Sequence, residues 1–386
     1  MTRTREHSLL AAILLLCLAA RIVYAVVQER RLDRLVISDQ GTYHRLACNL
    51  LEKGYYGIEG LCSYRSVRPP LYPFFLAGVY SLSGVSWPAA RVAQAALATL
   101  ACLALFLLAR EIAGAGVALF ASLLFSVDFY LIHLSGIFLS ENLYLPLSLL
   151  LLFFLIISFQ KARWRLFALG GFLAGLSALC RPTVILFLML LGVVPRALKA
   201  GRKGIAGWLL MLGVTGLVIS PWTFRNYRVH QRFVPISTNG GIVLWVGLHP
   251  GATGGYDFPE ENNPFYRIEN EVERNNVMGR EAMGFIIRYP GEFLKLAGKK
   301  FLLFWEFYPF AWSGRQGIIY LAFGIGGFVL SLRDWRRWLI VYLYVFSIMA
   351  THLLFESGSR YRLPLNPIIE IWAALAVVAL AQRRRR

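Results

Sequence analysis

The chain has 386 residues, 57% of them hydrophobic and only 16% charged, with a formal net charge of +19. So little charge beside so much apolar surface excludes an ordinary soluble globular domain. The positive excess falls mostly in short loops between apolar runs, which suits anionic lipid and argues against nucleic acid.

The first apolar run, 8–27, has a basic start and a short core ending near LAA at 18–20, like a signal peptide. Apolar residues resume after Arg21 with IVYAVV, so it is read as a retained helix in which Arg21 snorkels or faces a polar cavity. Further runs follow at 89–109, 114–135, 141–159, 166–180, 183–196, 205–222, 316–332, 337–355 and 364–382. At roughly 20 residues per crossing they predict an all-α polytopic bundle of about ten transmembrane helices. The fifth and sixth are short enough to form a re-entrant pair instead. With the N-terminus inside, the inner loops collect Arg110, Lys161, Arg163, Arg165, Arg196, Arg202, Arg333 and the closing RRRR at 383–386. Basic short loops face the cytoplasm, so both termini are expected there.

This topology leaves about 28–88, about 223–315 and a short segment near 356–363 outside. In the first, Tyr43, Leu46, Ala47, Leu50 and Leu51 form one helical stripe. After Pro69 and Pro70, which start a helix well, Leu71, Phe74, Phe75, Gly78 and Val79 form a second. Both are too short to span and are expected at the interface. Asp39 precedes the first helix and Arg68 the second. The chain thus divides into an N-terminal transmembrane catalytic module (1–222), an outer segment with interfacial helices (223–315) and C-terminal transmembrane helices (316–386).

Five stretches, in order, carry a resemblance. They are Asp39-Gln40 followed by ACNLLEKGYYG and then RPPLYP; GIFLSENLYLPL at 136–147; GLSALCRPTVIL at 175–186; SPWTFRNYRVHQRFVPISTNGG from 220; and SRYRLPLNP at 359–367. Together they resemble the GT-C class of glycosyltransferases, and the bacterial members of family 39 in particular. One departure is Asp128 in SVDFY, where that family often has proline; it reads either as a second external carboxylate or as a helix cap.

The resemblance implies an inverting enzyme of the inner (plasma) membrane with an outward-facing site. Such an enzyme moves a sugar from a polyprenyl-phosphate donor to an acceptor hydroxyl on a lipid, glycan or protein. Asp39 would occupy the catalytic-acid position, and Arg68 the position that meets the lipid phosphate. The chemistry needs a base for the acceptor proton and fixed cations for the departing phosphate. Asp39 suits the first demand, and Arg68 with Arg360 or Arg362 the second, since guanidinium matches phosphate geometry. From pattern alone Asp39 is equally an N-cap and Arg68 a headgroup anchor. Tyr43, Glu141, Arg181, Arg225, Asn226, Asn239 and Tyr361 are expected substrate-binding residues, with His249 weaker still. Arg181 needs a polar partner, because a lone charge at mid-bilayer costs about 2.5–3.5 kcal/mol on insertion scales. Glu370 is expected to pair with Arg21.

Six histidines and five cysteines show neither H-x-x-x-H nor C-x-x-C spacing, so no cofactor is expected, although some GT-C enzymes use a divalent metal. Cys48 and Cys62 both fall in the first outer segment and are open to either a disulfide or two free thiols. A lipid or solute transporter and a non-catalytic GT-C-like scaffold are the alternatives. The sequence does not name the sugar, the acceptor or the prenyl length.

Overall fold

The computed structural model describes residues 2–28, 39–59, 64–255, 263–305 and 312–383. Among these, helix is the only extended regular structure, and the one β-bridge pairs Ile58 with Tyr64. The helices are α1 (Arg3–Gln28), α2 (Asp39–Glu52), α3 (Leu71–Ser83), α4 (Trp87–Ala113), α5 (Ala115–Val127), α6 (Phe129–Ser135), α7 (Glu141–Lys161), α8 (Trp164–Cys180) and α9 (Val184–Leu190). They continue with α10 (Val194–Ala197), α11 (Gly201–His230), α12 (Gly240–Gly247), α13 (Glu271–Arg288), α14 (Pro290–Trp305), α15 (Trp312–Ser331), α16 (Trp335–Leu354) and α17 (Asn366–Arg383).

Every one of the expected apolar runs is helical. Among the described residues, however, six helices are long and apolar enough to cross a membrane, or seven if a bent pair counts as one span. The bent pair is α5 with α6, which meet at 59°. The run at 114–135 is therefore not one straight helix. Asp128 makes the bend: its carboxylate accepts from the N–H groups of Tyr130 (2.7 Å) and Leu131 (3.2 Å) and caps α6. The helix-cap reading of Asp128 is the one the geometry shows. The bend strands carbonyls at the end of α5, and polar side chains collect them. Arg21, fully buried, donates to the carbonyls of Phe125 (3.1 Å), Ser126 (3.3 Å) and Cys17 (3.1 Å). Gln316 donates to Val127 O at 3.0 Å and accepts from Phe129 N at 3.0 Å. The expected Arg21–Glu370 ion pair is absent among the described residues, because carbonyl oxygens freed by the bend engage the guanidinium instead.

Glycine sets the closest helix contacts. A Cβ on Gly171 would lie 2.5 Å from Met211 O, and one on Gly175 would lie 2.5 Å from Val218 Cβ, so α8 and α11 pack backbone to backbone. Thr215 Oγ1 reaches Gly171 O across that seam at 3.1 Å.

α2 buries Tyr43, Leu46 and Ala47, the stripe read from sequence, although Leu51 is 42% exposed. α3 is turned the other way from its expected face. It buries Tyr72, Pro73, Leu76, Ala77 and Tyr80, while Phe74 is 39% exposed. The cause is chemical. α3 is apolar all round, so periodicity alone cannot choose a face. Tyrosine hydroxyls need partners when buried, and they find them inward: Tyr72 donates to Gln94 Oε1 at 2.5 Å, and Tyr80 OH lies 3.1 Å from His44 Nδ1. Phe74 has no such need.

Within 223–315, α13 and α14 meet at Pro290. α13 buries Val272, Met278, Ala282 and Phe285, and α14 buries Leu296, Lys300 and Phe304. Cys62 lies outside the described residues, and the Cys48–Cys62 question with it.

Candidate functional site

The site begins where α2 begins. Asp39 is the first residue of that helix, and its neighbour fixes the helix end. Gln40 Oε1 accepts from Phe138 N at 3.0 Å and ties α2 to the turn before α7. Both Asp39 oxygens are taken. Arg68 Nη2 donates to Oδ1 at 2.5 Å, and Arg360 Nη1 donates to Oδ2 at 2.7 Å. Arg360 continues through Nε to Glu141 Oε1 at 2.8 Å, and Arg181 Nη1 reaches the same oxygen at 2.7 Å. The chain Arg68–Asp39–Arg360–Glu141–Arg181 thus joins four distant segments in one network. Glu141 is fully buried at its base, in the first turn of α7. It satisfies Arg181, whose isolation in the sequence demanded a partner.

Arg68 is held by an aromatic and polar cradle. Its guanidinium lies 5.7 Å from the Tyr43 ring centroid, and Tyr43 meets Tyr72 edge-on at 5.0 Å. Tyr56 OH donates to Arg68 O at 3.0 Å and Pro69 O at 3.2 Å. Arg225 and Asn226, expected to touch substrate, are not brought to the cavity. Arg225 donates to Tyr56 O (2.7 Å), Arg65 O (2.7 Å) and Ser66 Oγ (2.8 Å), and lies 4.7 Å from the Trp222 ring centroid. Asn226, fully buried, accepts from Ser66 Oγ at 2.9 Å and donates to Val234 O and Ile236 O, each at 3.1 Å. Both residues lock the turn that presents Arg68. Arg362 also points elsewhere: it is buried, donates to Phe304 O at 2.9 Å, and lies 5.8 Å from the Trp305 ring centroid. Only Tyr361 separates it from Arg360, and the 3-10 turn at Ser359–Leu365 sends the two side chains to different places. His249 stacks on Trp245 with ring centroids 4.4 Å apart.

Asp39, Arg68 and Arg360 border one cavity of about 2090 Å³, whose wall also includes Tyr43, Arg181, Asn239 and Tyr361. Burial alone would raise the Asp39 carboxyl. The guanidiniums of Arg68 and Arg360 outweigh it and hold the group below the ordinary carboxylate value. Asp39 is therefore an anion at neutral pH, but a weak base. Burial pushes the Tyr43 hydroxyl up, so it stays a neutral donor.

The donor set does not fit a divalent ion. Both Asp39 oxygens and Glu141 Oε1 are bonded to guanidiniums, and among the described residues no three His, Cys, Asp or Glu side chains converge.

The sequence reading missed one cavity residue of consequence. Glu356 borders the same cavity, is 6% exposed, and receives the Tyr361 hydroxyl. Its signal was present: an acid in the short segment near 356–363, five residues before a tyrosine already singled out.

The family model described as dolichyl-phosphate-mannose-protein mannosyltransferase matches residues 67–223. No curated protein matches the chain. Among solved structures, the apo oligosaccharyltransferase of Archaeoglobus fulgidus aligns with a TM-score of 0.64 at 13% identity, over 99% of this chain and 51% of that one. The same organism's AglB, in complex with an inhibitory peptide and a dolichol-phosphate, aligns at 0.62 and 13%, over 98% and 50%. ArnT from Cupriavidus metallidurans bound to undecaprenyl phosphate aligns at 0.62 and 16%, over 98% and 61%. This chain thus spans about half the length of the archaeal enzymes. At these identities the likeness is one of fold, and the fold is that of GT-C glycosyltransferases, as the sequence motifs indicated.

Proposed function

We propose that this protein transfers a sugar from a polyprenyl-phosphate carrier to an acceptor hydroxyl, with inversion, in the cavity that Asp39 borders on the outer side of the membrane. The observation that carries the proposal is the Asp39 carboxylate clamped between Arg68 and Arg360 at the wall of that cavity. The motifs around these residues, the family model over 67–223 and the GT-C fold support the same reading. The dolichol-phosphate and undecaprenyl phosphate bound to AglB and ArnT are the kind of carrier such a cavity would take.

Arg68 and Arg360 are the phosphate-binding pair. Each donates to Asp39 through one nitrogen, and the planar fork of a guanidinium matches phosphate oxygens. As the bond between the anomeric carbon and the phosphate oxygen breaks, its electron pair passes to the phosphate, and two fixed guanidiniums stabilise the added charge. Asp39 offsets the repulsion between the two cations. It holds both guanidiniums at the cavity wall through its two oxygens. Arg181 and Glu141 set Arg360 from below; Arg225 and Asn226 set the Arg68 turn. Arg362 has no part in the phosphate site.

Purified protein in lipid nanodiscs, given radiolabelled undecaprenyl-phosphate sugars and an envelope extract as acceptor, tests this. Label should move to a product that no longer partitions as polyprenyl phosphate. No transfer from any donor, with no binding of undecaprenyl phosphate, would remove the proposal.

A further inference from the structure

We propose that Glu356, reached through the Tyr361 hydroxyl, is the base that removes the acceptor's proton, while Asp39 organises the arginines without titrating. This rests on the transfer reaction proposed above and assigns a step within it.

Asp39 is poorly placed for the task, because both its oxygens are engaged by guanidiniums. Glu356 is a second carboxyl on the same cavity, and the ion pairs among the described residues do not include it. Its Oε1 accepts from Tyr361 OH, and its Oε2 is buried with no hydrogen-bond partner. The group therefore has room for one proton and a single donor leading to it. Tyr361 is half-buried and borders the cavity, so its hydroxyl can touch substrate on one side and Glu356 on the other.

The pair is rigidly framed. The His352 ring stacks on Tyr361 with centroids 4.5 Å apart, and its Nδ1 lies 3.0 Å from Glu356 O. Ser357 N donates to Gly254 O at 3.0 Å, Ser357 Oγ to Lys300 O at 2.8 Å, and Lys300 Nζ to Leu354 O at 2.9 Å. The charged and titratable groups around Glu356 are Lys300 from α14, His352 from α16, Arg360 and Tyr361 from the 3-10 turn, Asp39 from α2, and Arg68. Burial, with Asp39 adding to it, pushes the Glu356 carboxyl above its ordinary value, against the pull of Tyr361, Arg360 and Arg68. Burial likewise brings the Lys300 amine down to about 7. A carboxyl raised toward working pH is a better base than one held down.

The step balances. The acceptor oxygen attacks the anomeric carbon, and the carbon–phosphate oxygen bond breaks toward phosphate. The acceptor's proton moves to the Tyr361 oxygen as the Tyr361 proton moves to Glu356 Oε1. Tyr361 ends unchanged, Glu356 ends neutral, and the leaving polyprenyl phosphate carries one more negative charge. Glu356 returns its proton to water when product leaves.

The test compares wild type, Glu356→Gln, Glu356→Asp, Tyr361→Phe and Asp39→Asn, from about pH 5 to pH 9. Wild-type kcat should fall as pH drops, since a protonated base is inactive. Glu356→Gln and Tyr361→Phe should each lose roughly 10²-fold in kcat and lose that acid limb. Both should bind undecaprenyl phosphate as wild type does. Glu356→Asp should recover part of the rate with a displaced limb. Asp39→Asn should lose rate and keep the limb. Infrared titration reads the group without turnover: the difference between wild type and Glu356→Gln should show a carboxylic-acid band that disappears on raising the pH, and the same difference should persist in the Asp39→Asn background. An unchanged kcat in Glu356→Gln, a limb that disappears with Asp39 instead, or no infrared difference between wild type and Glu356→Gln would overturn the assignment. Absence of transfer by wild type, with the infrared band present, would instead point to failure of the transfer reading.

Discussion

At the residue scale, two carboxyls on one cavity are set apart by their partners. Asp39→Asn keeps the shape of the side chain but removes the charge that holds Arg68 and Arg360 together. Transfer should fall roughly 10²-fold or more, a loss typical of one removed electrostatic contact in a closed site; turnover within a few-fold of wild type would refute its role. Arg68→Lys should also be impaired, with weaker undecaprenyl phosphate binding, because an ammonium cannot serve carboxylate and phosphate together through one fork. Stability should report the two carboxyls with opposite signs. Asp39 has a lowered folded value, so its contribution is present above the unfolded value and lost as pH falls through the folded one. Glu356 has a raised folded value, so its burial begins to cost stability as pH rises past the unfolded value, and the cost is complete above the folded one. Glu356→Gln should therefore melt higher than wild type at neutral and alkaline pH, with the gap closing at acid pH; thermal melts across pH check both signs.

At the element scale, the cavity depends on helices that touch through their backbones. A Cβ on Gly241 would fall 1.9 Å from Asn275 O, so α12 and α13 meet at that glycine alone of all residue types. Gly241→Ala should push the two helices apart, destabilise by about 1–3 kcal/mol, and lower transfer, since Asn239 and Gly240 at the start of α12 border the cavity. A melting temperature unchanged from wild type would show that the contact is not retained in the membrane. The same scale shows what patterning could and could not reveal. The α2 stripe of Tyr43, Leu46 and Ala47 was readable because polar residues interrupt it. The face of α3 was not, because Phe74 and Leu76 are equally apolar and only the hydroxyls of Tyr72 and Tyr80 break the tie.

At the scale of the whole molecule, the 39-residue run Gln316–Leu354 is longer than one crossing takes, and the turn at Leu332–Asp334 with Arg333 divides it. Counted as two crossings there, and with the bent α5–α6 pair as one span, the described residues hold eight, an even number that would put both termini on one side. Cysteine accessibility tests that topology. With Cys48 and Cys62 replaced, a cysteine introduced by Arg228→Cys should react with an impermeant maleimide in intact cells, and one introduced by Arg163→Cys only after lysis; the reverse would invert the protein. Apolar runs, basic loops and motif order were all legible in the chain, because each is a local property of composition and spacing. The network was not. Arg68 and Asp39 lie 29 residues apart, and Arg360 and Asp39 lie 321 apart. Which arginine meets the acid depends on how a 3-10 turn rotates Arg360 toward it and Arg362 away, and no periodicity encodes that rotation. Arg225 and Asn226 looked like site residues for the same reason that Glu356 did not: a sequence shows which side chains are polar, while only packing decides whether their bonds go to backbone or to a cavity.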